Sequence, residues 1–118
     1  MFKALRKILN DCKYHLKKRD YDKVFYTLSQ ERIEEEYLNS GYKREFETIN
    51  KLLGQFVSYI TFIGSSTAVA KNYSQQKETR SQEKEQREKT IEAVDNLYKV
   101  LDQLETEIWR MVKESKKD

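Results

Sequence analysis

Cys12 and His15 are the residues of this chain best suited to metal binding or covalent chemistry, and each is the only one of its type. A spacing of three places the two side chains on one side of a helix. Thiolate and imidazole both bind zinc, but zinc needs four ligands, so two such pairs would have to meet across a dimer axis. Cys12 also belongs to an apolar helical stripe, where a small buried thiol is ordinary. We therefore predict no metal and no cofactor.

The other residues show no spacing that is typical of a catalytic site. A serine triad would need His15 as its base, yet no serine stands in a nucleophile-elbow motif. The sequence contains neither a Gly-rich phosphate loop nor a His-Glu zinc motif. It also lacks the Glu-x-x-His pairs of carboxylate-bridged metal bundles. We expect a protein that is not an enzyme and has no catalytic residues.

The composition favours helices. Of the 118 residues, 36% are charged and 37% are hydrophobic, with three glycines and no proline. Few chain breakers and many Lys, Glu, Gln and Leu residues favour long helices with narrow apolar stripes. We predict an all-α fold: a single domain over residues 1–118, formed by a small bundle of about four helices with a long C-terminal helix. A chain with so little apolar material often completes its core by oligomerising, so we expect a homodimer.

The first helix is predicted over residues 2–18 and is amphipathic. Its apolar stripe contains Phe2, Leu5, Leu9, Cys12 and Leu16, with Ile8 at the edge. Its opposite side is a basic face made of Lys3, Arg6, Lys7, Lys13 and Lys17. Such a face can be simply solvated, or it can contact nucleic acid phosphates or an anionic membrane.

A second helix is expected over residues 21–38, followed by a turn at residues 39–41. Asp20 has the residue type of an N-cap, and Asp22 suits the first turn because a carboxylate is favourable near the positive end of a helix dipole. Gly41 can adopt the positive φ that often ends a helix. The third helix begins directly after this turn.

The third helix contains the only long stretch without charge, from Leu52 through Ala70. A heptad-spaced apolar stripe runs through Tyr42, Phe46, Ile49, Leu53, Phe56, Ile60 and Ile63, widened by Leu52, Val57 and Tyr59. The opposite side carries a small-residue stripe of Gly54, Ser58, Thr61 and Ser65, which lets a second helix approach closely. We expect its own chain to cover one side and a partner chain the other, with a break near residues 64–66. The stretch is also long enough to span a membrane, but its polar atoms lie on one side, which favours a buried helix.

The C-terminal part divides into a polar and an amphipathic segment. Residues 74–90 hold nine charges and no aliphatic or aromatic residue, which fits an exposed helix or a polar linker. Residues 91–113 form a broad amphipathic helix. Trp109 lies at the edge of its apolar arc and is expected in the core, with an interface anchor as the alternative. The predicted interaction seam combines the small-residue stripe with this arc: Gly54, Ser58, Thr61, Ser65, Ile91, Val94, Tyr98, Leu101, Ile108, Trp109 and Val112.

Three classes of function follow from these patterns. The first is a helical protein–protein interaction module, such as an adaptor, a targeting or chaperone-like partner, or an inhibitor. The second is a nucleic-acid-binding protein that uses the basic face, and the third is a membrane-associated protein anchored by the first helix or by residues 52–70. A cytoplasmic location is expected, because the N-terminus lacks the continuous apolar region of a signal peptide and there is a single cysteine.

Overall fold

The computed structural model describes residues 2–28 and 47–116, which form helices and no strands. The elements are α1 (Lys3–Lys17), α2 (Tyr21–Leu28), α3 (Glu47–Ser74), a short 3₁₀ turn (Lys77–Thr79) and α4 (Arg80–Lys116). The prediction of a small all-α bundle is confirmed. The second half of the predicted helix over residues 21–38 and the predicted turn at residues 39–41 lie outside the described residues.

The helices pack in a ring in which consecutive helices are neighbours and α4 closes back onto α1. Two ion pairs show that α1 and α4 are antiparallel. Arg6 pairs with Glu105, and Lys13 pairs with Asp95, each at 2.8 Å. α3 and α4 form an antiparallel hairpin closed by the 3₁₀ turn. This order is that of an up-and-down four-helix bundle.

The core lies between the apolar stripes that the sequence predicts. The stripe of α1 is buried, and Cys12 and Leu16 have no exposed surface. α3 contributes Leu52, Leu53, Phe56 and Ile63, and α4 contributes Ala93, Val94, Leu97, Val100, Leu101, Leu104 and Ile108. Full burial of each large aliphatic side chain stabilises the fold by about 1.5–3 kcal/mol.

The break predicted near residues 64–66 is absent, and α3 runs without interruption from Glu47 to Ser74. Thr67 is fully buried and donates a hydrogen bond to the backbone oxygen of Ile63 at 2.6 Å, so its hydroxyl is satisfied inside the helix. The chain reverses instead at residues 75–79, where Thr79 donates to the backbone oxygen of Tyr73 at 2.6 Å. The last helix is therefore longer than the predicted residues 91–113.

The turn between α1 and α2 depends on an unusual backbone conformation at Arg19, which has a φ of 60°. Its N–H donates to the carbonyl of Leu16 at 3.0 Å, and the N–H of Asp20 donates to that of His15 at 2.8 Å. This is the Schellman pattern, in which the left-handed residue is usually glycine. A non-glycine residue costs about 1 kcal/mol there, so other contacts must hold Arg19 in place.

Candidate interaction surface on helix α3

One side of α3 is exposed and carries no charge between Leu52 and Ala70. The small-residue stripe runs along the middle of this side, and all four of its residues are exposed. Val57 on one flank is 52% exposed, and Phe62 and Val69 on the other are 46% and 39% exposed. We call these residues the α3 outer face: Gly54, Val57, Ser58, Thr61, Phe62, Ser65, Ala68 and Val69.

One sequence expectation for this helix needs correction. Val57 was expected in the buried apolar arc but lies on the exposed side. The chain itself covers only the side of α3 that carries Leu53, Phe56 and Ile63. The outer face is therefore an uncharged helix surface that the described residues leave exposed.

Gly54 has no packing role within the described part of the chain. A Cβ atom built at this position has no neighbouring atom within 4 Å outside the local helix backbone. Glycine inside a helix costs about 0.5–1 kcal/mol relative to alanine. The fold therefore carries a less favourable residue without using the space that it leaves, and this space lies on the outer face.

An open groove of about 1000 Å³ adjoins the outer face, between α3 and α4. Gly54, Ser58 and Phe62 line its α3 side. Its α4 wall is formed mainly by long polar side chains, namely Lys89, Glu92, Asn96, Lys99 and Gln103, with Ala93 and Val100 at the floor. The outer face and this groove form one continuous surface.

A buried polar network sets the register of α3 against α4 and thus the shape of this groove. The hydroxyls of Ser66 and Thr90 are hydrogen-bonded to each other. Gln86 donates to Ser66 Oγ at 2.7 Å, and Thr90 donates to the backbone oxygen of Gln86 at 2.7 Å. Buried hydroxyls need such partners, and a slip of the hairpin would separate the Ser66 hydroxyl from both Thr90 and Gln86.

A second buried cluster centres on Glu83, which is 2% exposed. Arg19 donates two hydrogen bonds to its carboxylate, at 2.7 and 2.6 Å, and the Tyr21 hydroxyl donates one at 2.6 Å. Burial alone would raise the pKa of Glu83, but the hydrogen bonds from Arg19 and Tyr21 and the charges of Arg19 and Arg87 outweigh it, so the pKa is lowered. Burial and the hydrogen bond to Glu83 raise the pKa of Tyr21 to about 12. The cluster ties the α1–α2 turn to α4.

The predicted interaction seam is not a single surface, because its α4 residues do not lie beside the small-residue stripe of α3. Val94, Leu101 and Ile108 belong to the core, and Ile91 and Tyr98 are half-buried. The Tyr98 hydroxyl donates to the backbone oxygen of Arg6 at 2.8 Å and so helps to hold α1. Trp109 is 53% exposed, so its predicted place in the core is wrong. The side chain of Val112 lies outside the described residues.

The basic face of α1 is partly occupied by contacts within the chain. Arg6 pairs with Asp102 and Glu105, both at 2.8 Å, and Lys13 pairs with Asp95. Lys3, Lys7 and Lys17 remain exposed. Two of the five basic residues are therefore already engaged by carboxylates of α4.

Cys12 and His15 do not form a shared site. Cys12 is fully buried, whereas the ring of His15 is half-buried and makes an edge contact with Tyr14. Within residues 2–28 and 47–116, no group of three or more His, Cys, Asp or Glu residues is placed to hold a metal ion.

By length and hydropathy, one segment among the described residues could cross a membrane. It runs over Lys51–Ser74, and 28% of its most apolar 18-residue window is buried in the bundle. A core helix of a soluble protein can meet the same criteria. Comparison with family models, curated proteins and solved structures found no match to this chain. Its function has to be argued from its own residues.

Proposed function

We propose that this protein is a non-enzymatic helical interaction module that binds another protein through the α3 outer face and the adjoining groove. The observation that supports this most strongly is the exposed, charge-free side of α3 in a chain that is 36% charged. A contiguous apolar patch on a soluble domain is typical of a protein or membrane contact. A charge-free surface also costs less to remove from water than a charged one.

The free energy available from burying the exposed side chains of the face is enough to support the docking of a helix. Val57, Phe62 and Val69 are each about half exposed. Completing their burial would contribute about half of the 1.5–3 kcal/mol of full burial, or about 1 kcal/mol each. Close backbone approach over the small-residue stripe adds dispersion contacts, because a second helix can pack tightly against Gly54 and Ser58.

Site-specific photo-crosslinking in the native cell tests this proposal. A benzophenone amino acid replaces Phe62 in one variant and Tyr14 in the control. Tyr14 is 59% exposed and lies on α1 rather than on the outer face. We expect discrete protein adducts, a second copy included, at position 62 and none at position 14. Equal labelling at both positions, or no protein adduct at position 62, would refute the proposal.

Membrane association is a second candidate, because Lys51–Ser74 is long and apolar enough to span a bilayer. It predicts that the purified protein floats with vesicles of neutral phospholipid and stays bound at high salt, since apolar contact is not screened by ions. Protein that remains at the bottom of the gradient would remove this candidate and leave the first one standing.

A further inference from the structure

We propose that the occupant of the α3 outer face is a second copy of this chain, docked antiparallel, with a two-fold axis passing midway between Ser58 and Thr61. This inference rests on the proposed function, since it takes the outer face to be the binding surface. It is carried by three features of the described residues: the order of the small residues, the charges along the groove and the empty space at Gly54.

The small-residue stripe has the same spacing in both directions. Its residues are separated by four, three and four positions. In an antiparallel pair, Gly54 therefore meets Ser65 of the second copy, and Ser58 meets Thr61. Each layer then combines a smaller with a larger residue, which keeps the helix separation even. A parallel pair would put Gly54 against Gly54 and Thr61 against Thr61, leaving a gap at one layer and crowding at another.

The α4 wall of the groove is centred on the same axis. Because Ser66 opposes Thr90, the midpoint between Ser58 and Thr61 lies level with Asn96. Glu92 then lies about 7 Å along the bundle on one side of the axis and Lys99 about 4 Å on the other, at 1.5 Å per residue.

The antiparallel axis also matches opposite charges. The two-fold axis of the antiparallel pair is perpendicular to the helices, so both grooves lie on the same side of the α3 pair. Measured along the bundle, Glu92 of one copy then lies about 3 Å from Lys99 of the other. Two such pairs form, with Asn96 facing Asn96 between them. A parallel axis would put the grooves on opposite sides and leave these charges unmatched. The two Lys99 residues lie about 7 Å apart along the bundle and the two Glu92 residues about 13 Å apart, so each of these charges is closer in height to its opposite than to its own copy.

The flanks and ends of the face fit the same arrangement. Phe62 lies on the groove side, so it approaches Phe62 of the second copy across the axis, about 7 Å apart along the helices. Lys51 and Lys71 bracket the uncharged stretch and lie at the two ends of the seam. Lys51 is exposed at the rim, where charge costs little. The ammonium group of Lys71 is paired with Asp22 at 2.6 Å. The space at Gly54, which the described part of the chain leaves empty, receives the side of the second helix that carries Ser65.

Disulfide trapping tests the pairing and its direction. Three variants are compared under mild oxidation: Gly54→Cys, Ser65→Cys and the double variant. In the antiparallel dimer, position 54 lies about 16 Å from its own copy along the helices, which is well beyond the roughly 7 Å limit between the Cα atoms of a disulfide. The same holds for position 65, whereas positions 54 and 65 of different copies are neighbours. We expect the double variant alone to form a covalent dimer, at twice 14.2 kDa.

The controls separate the possible outcomes. The wild-type chain should form no disulfide dimer, because its single cysteine, Cys12, is fully buried. Circular dichroism checks that each variant keeps its helicity, and both new positions are exposed. Covalent dimer in both single variants would show parallel pairing and overturn the antiparallel axis. No covalent dimer in any variant, together with a monomeric mass of the wild type by light scattering, would overturn the second copy as occupant. A photo-adduct from position 62 to a different protein would then still support the proposed function.

Discussion

Replacing Arg19 by glycine or by alanine tests the buried cluster at the α1–α2 turn, and the two variants are expected to differ. Both lose the two hydrogen bonds to Glu83 and leave a carboxylate that is 2% exposed with Tyr21 and Arg87 as its partners. Removing one partner of a buried ion pair costs about 3–5 kcal/mol. Because the Arg19 side chain is 52% exposed, solvent screens the pair, and we reduce the expected loss to about 1.5–3 kcal/mol.

The glycine variant recovers part of that loss. Arg19 has a φ of 60°, a conformation that costs a non-glycine residue about 1 kcal/mol more than glycine. Arg19→Gly should therefore unfold with a free energy about 1 kcal/mol higher than that of Arg19→Ala, although glycine is normally the less stabilising of the two in or near a helix.

Urea denaturation followed by circular dichroism at one fixed protein concentration measures both differences. The fixed concentration matters because dimerisation would stabilise all variants by mass action. Glu83→Gln supplies the matched control, since in that background Arg19→Ala should cost much less. If glycine were no better than alanine, the left-handed turn would be refuted. If neither substitution lowered the free energy of unfolding, the Arg19–Glu83 pair would contribute nothing.

Three further predictions follow from the same contacts. The pKa of Tyr21 is raised to about 12 in the folded state. The protonated hydroxyl therefore contributes about 2–3 kcal/mol to the free energy of unfolding below the unfolded pKa near 10, and this contribution is lost as the pH rises toward 12. In urea melts, Tyr21→Phe should remove most of the decrease in the free energy of unfolding between pH 10 and 12. An unchanged decrease would contradict the raised pKa. Glu92→Lys should weaken self-association several-fold at low salt, since two surface pairs of about 0.2–1 kcal/mol each become repulsive. Adding Lys99→Glu should restore the affinity measured by sedimentation equilibrium. Equal affinities of the wild type and both variants would contradict the axis. Trp109 is the only tryptophan and is 53% exposed, so acrylamide should quench its fluorescence readily, and strong protection would contradict its place on the surface.

Hydrophobic periodicity was enough to predict the buried sides of α1 and α4. The α1 stripe through Leu5, Leu9 and Leu16 is buried as predicted, because residues at this spacing can share only one side of a helix. The same holds for Leu97 and Leu101 on α4. Periodicity works here because both helices lie against a single continuous core.

The positions of the turns could not be read from residue types alone. The Gly64 region has the composition of a break, yet the hydroxyls of Ser66 and Thr67 are satisfied by partners in the folded hairpin. The reversal occurs at residues 75–79, which contain neither glycine nor proline. Arg19 adopts a conformation typical of glycine, and its partner Glu83 lies 64 positions away. Such long-range contacts override local preference and leave no local signal in the sequence.

The exposure of Val57 was likewise beyond the sequence. The uncharged stretch and the small-residue stripe are visible in the sequence, but periodicity cannot say how far around α3 the covered side extends. Trp109 shows the same limit, because an aromatic residue at the edge of an apolar arc fits either the core or the surface.

The charge-free side of α3 suits both a second protein chain and a lipid bilayer, but the two require different things of the fold. To span a bilayer, α3 would have to leave α4, because α4 begins with a stretch rich in Lys, Arg and Glu that hydrocarbon would exclude. That separation would break the Ser66–Thr90–Gln86 network and expose Phe56 and Ile63 from the core. The second copy that we propose would dock onto the surface that is already exposed and would leave every one of these contacts intact. The bundle as folded therefore favours a protein partner on α3 over insertion of α3 across a bilayer.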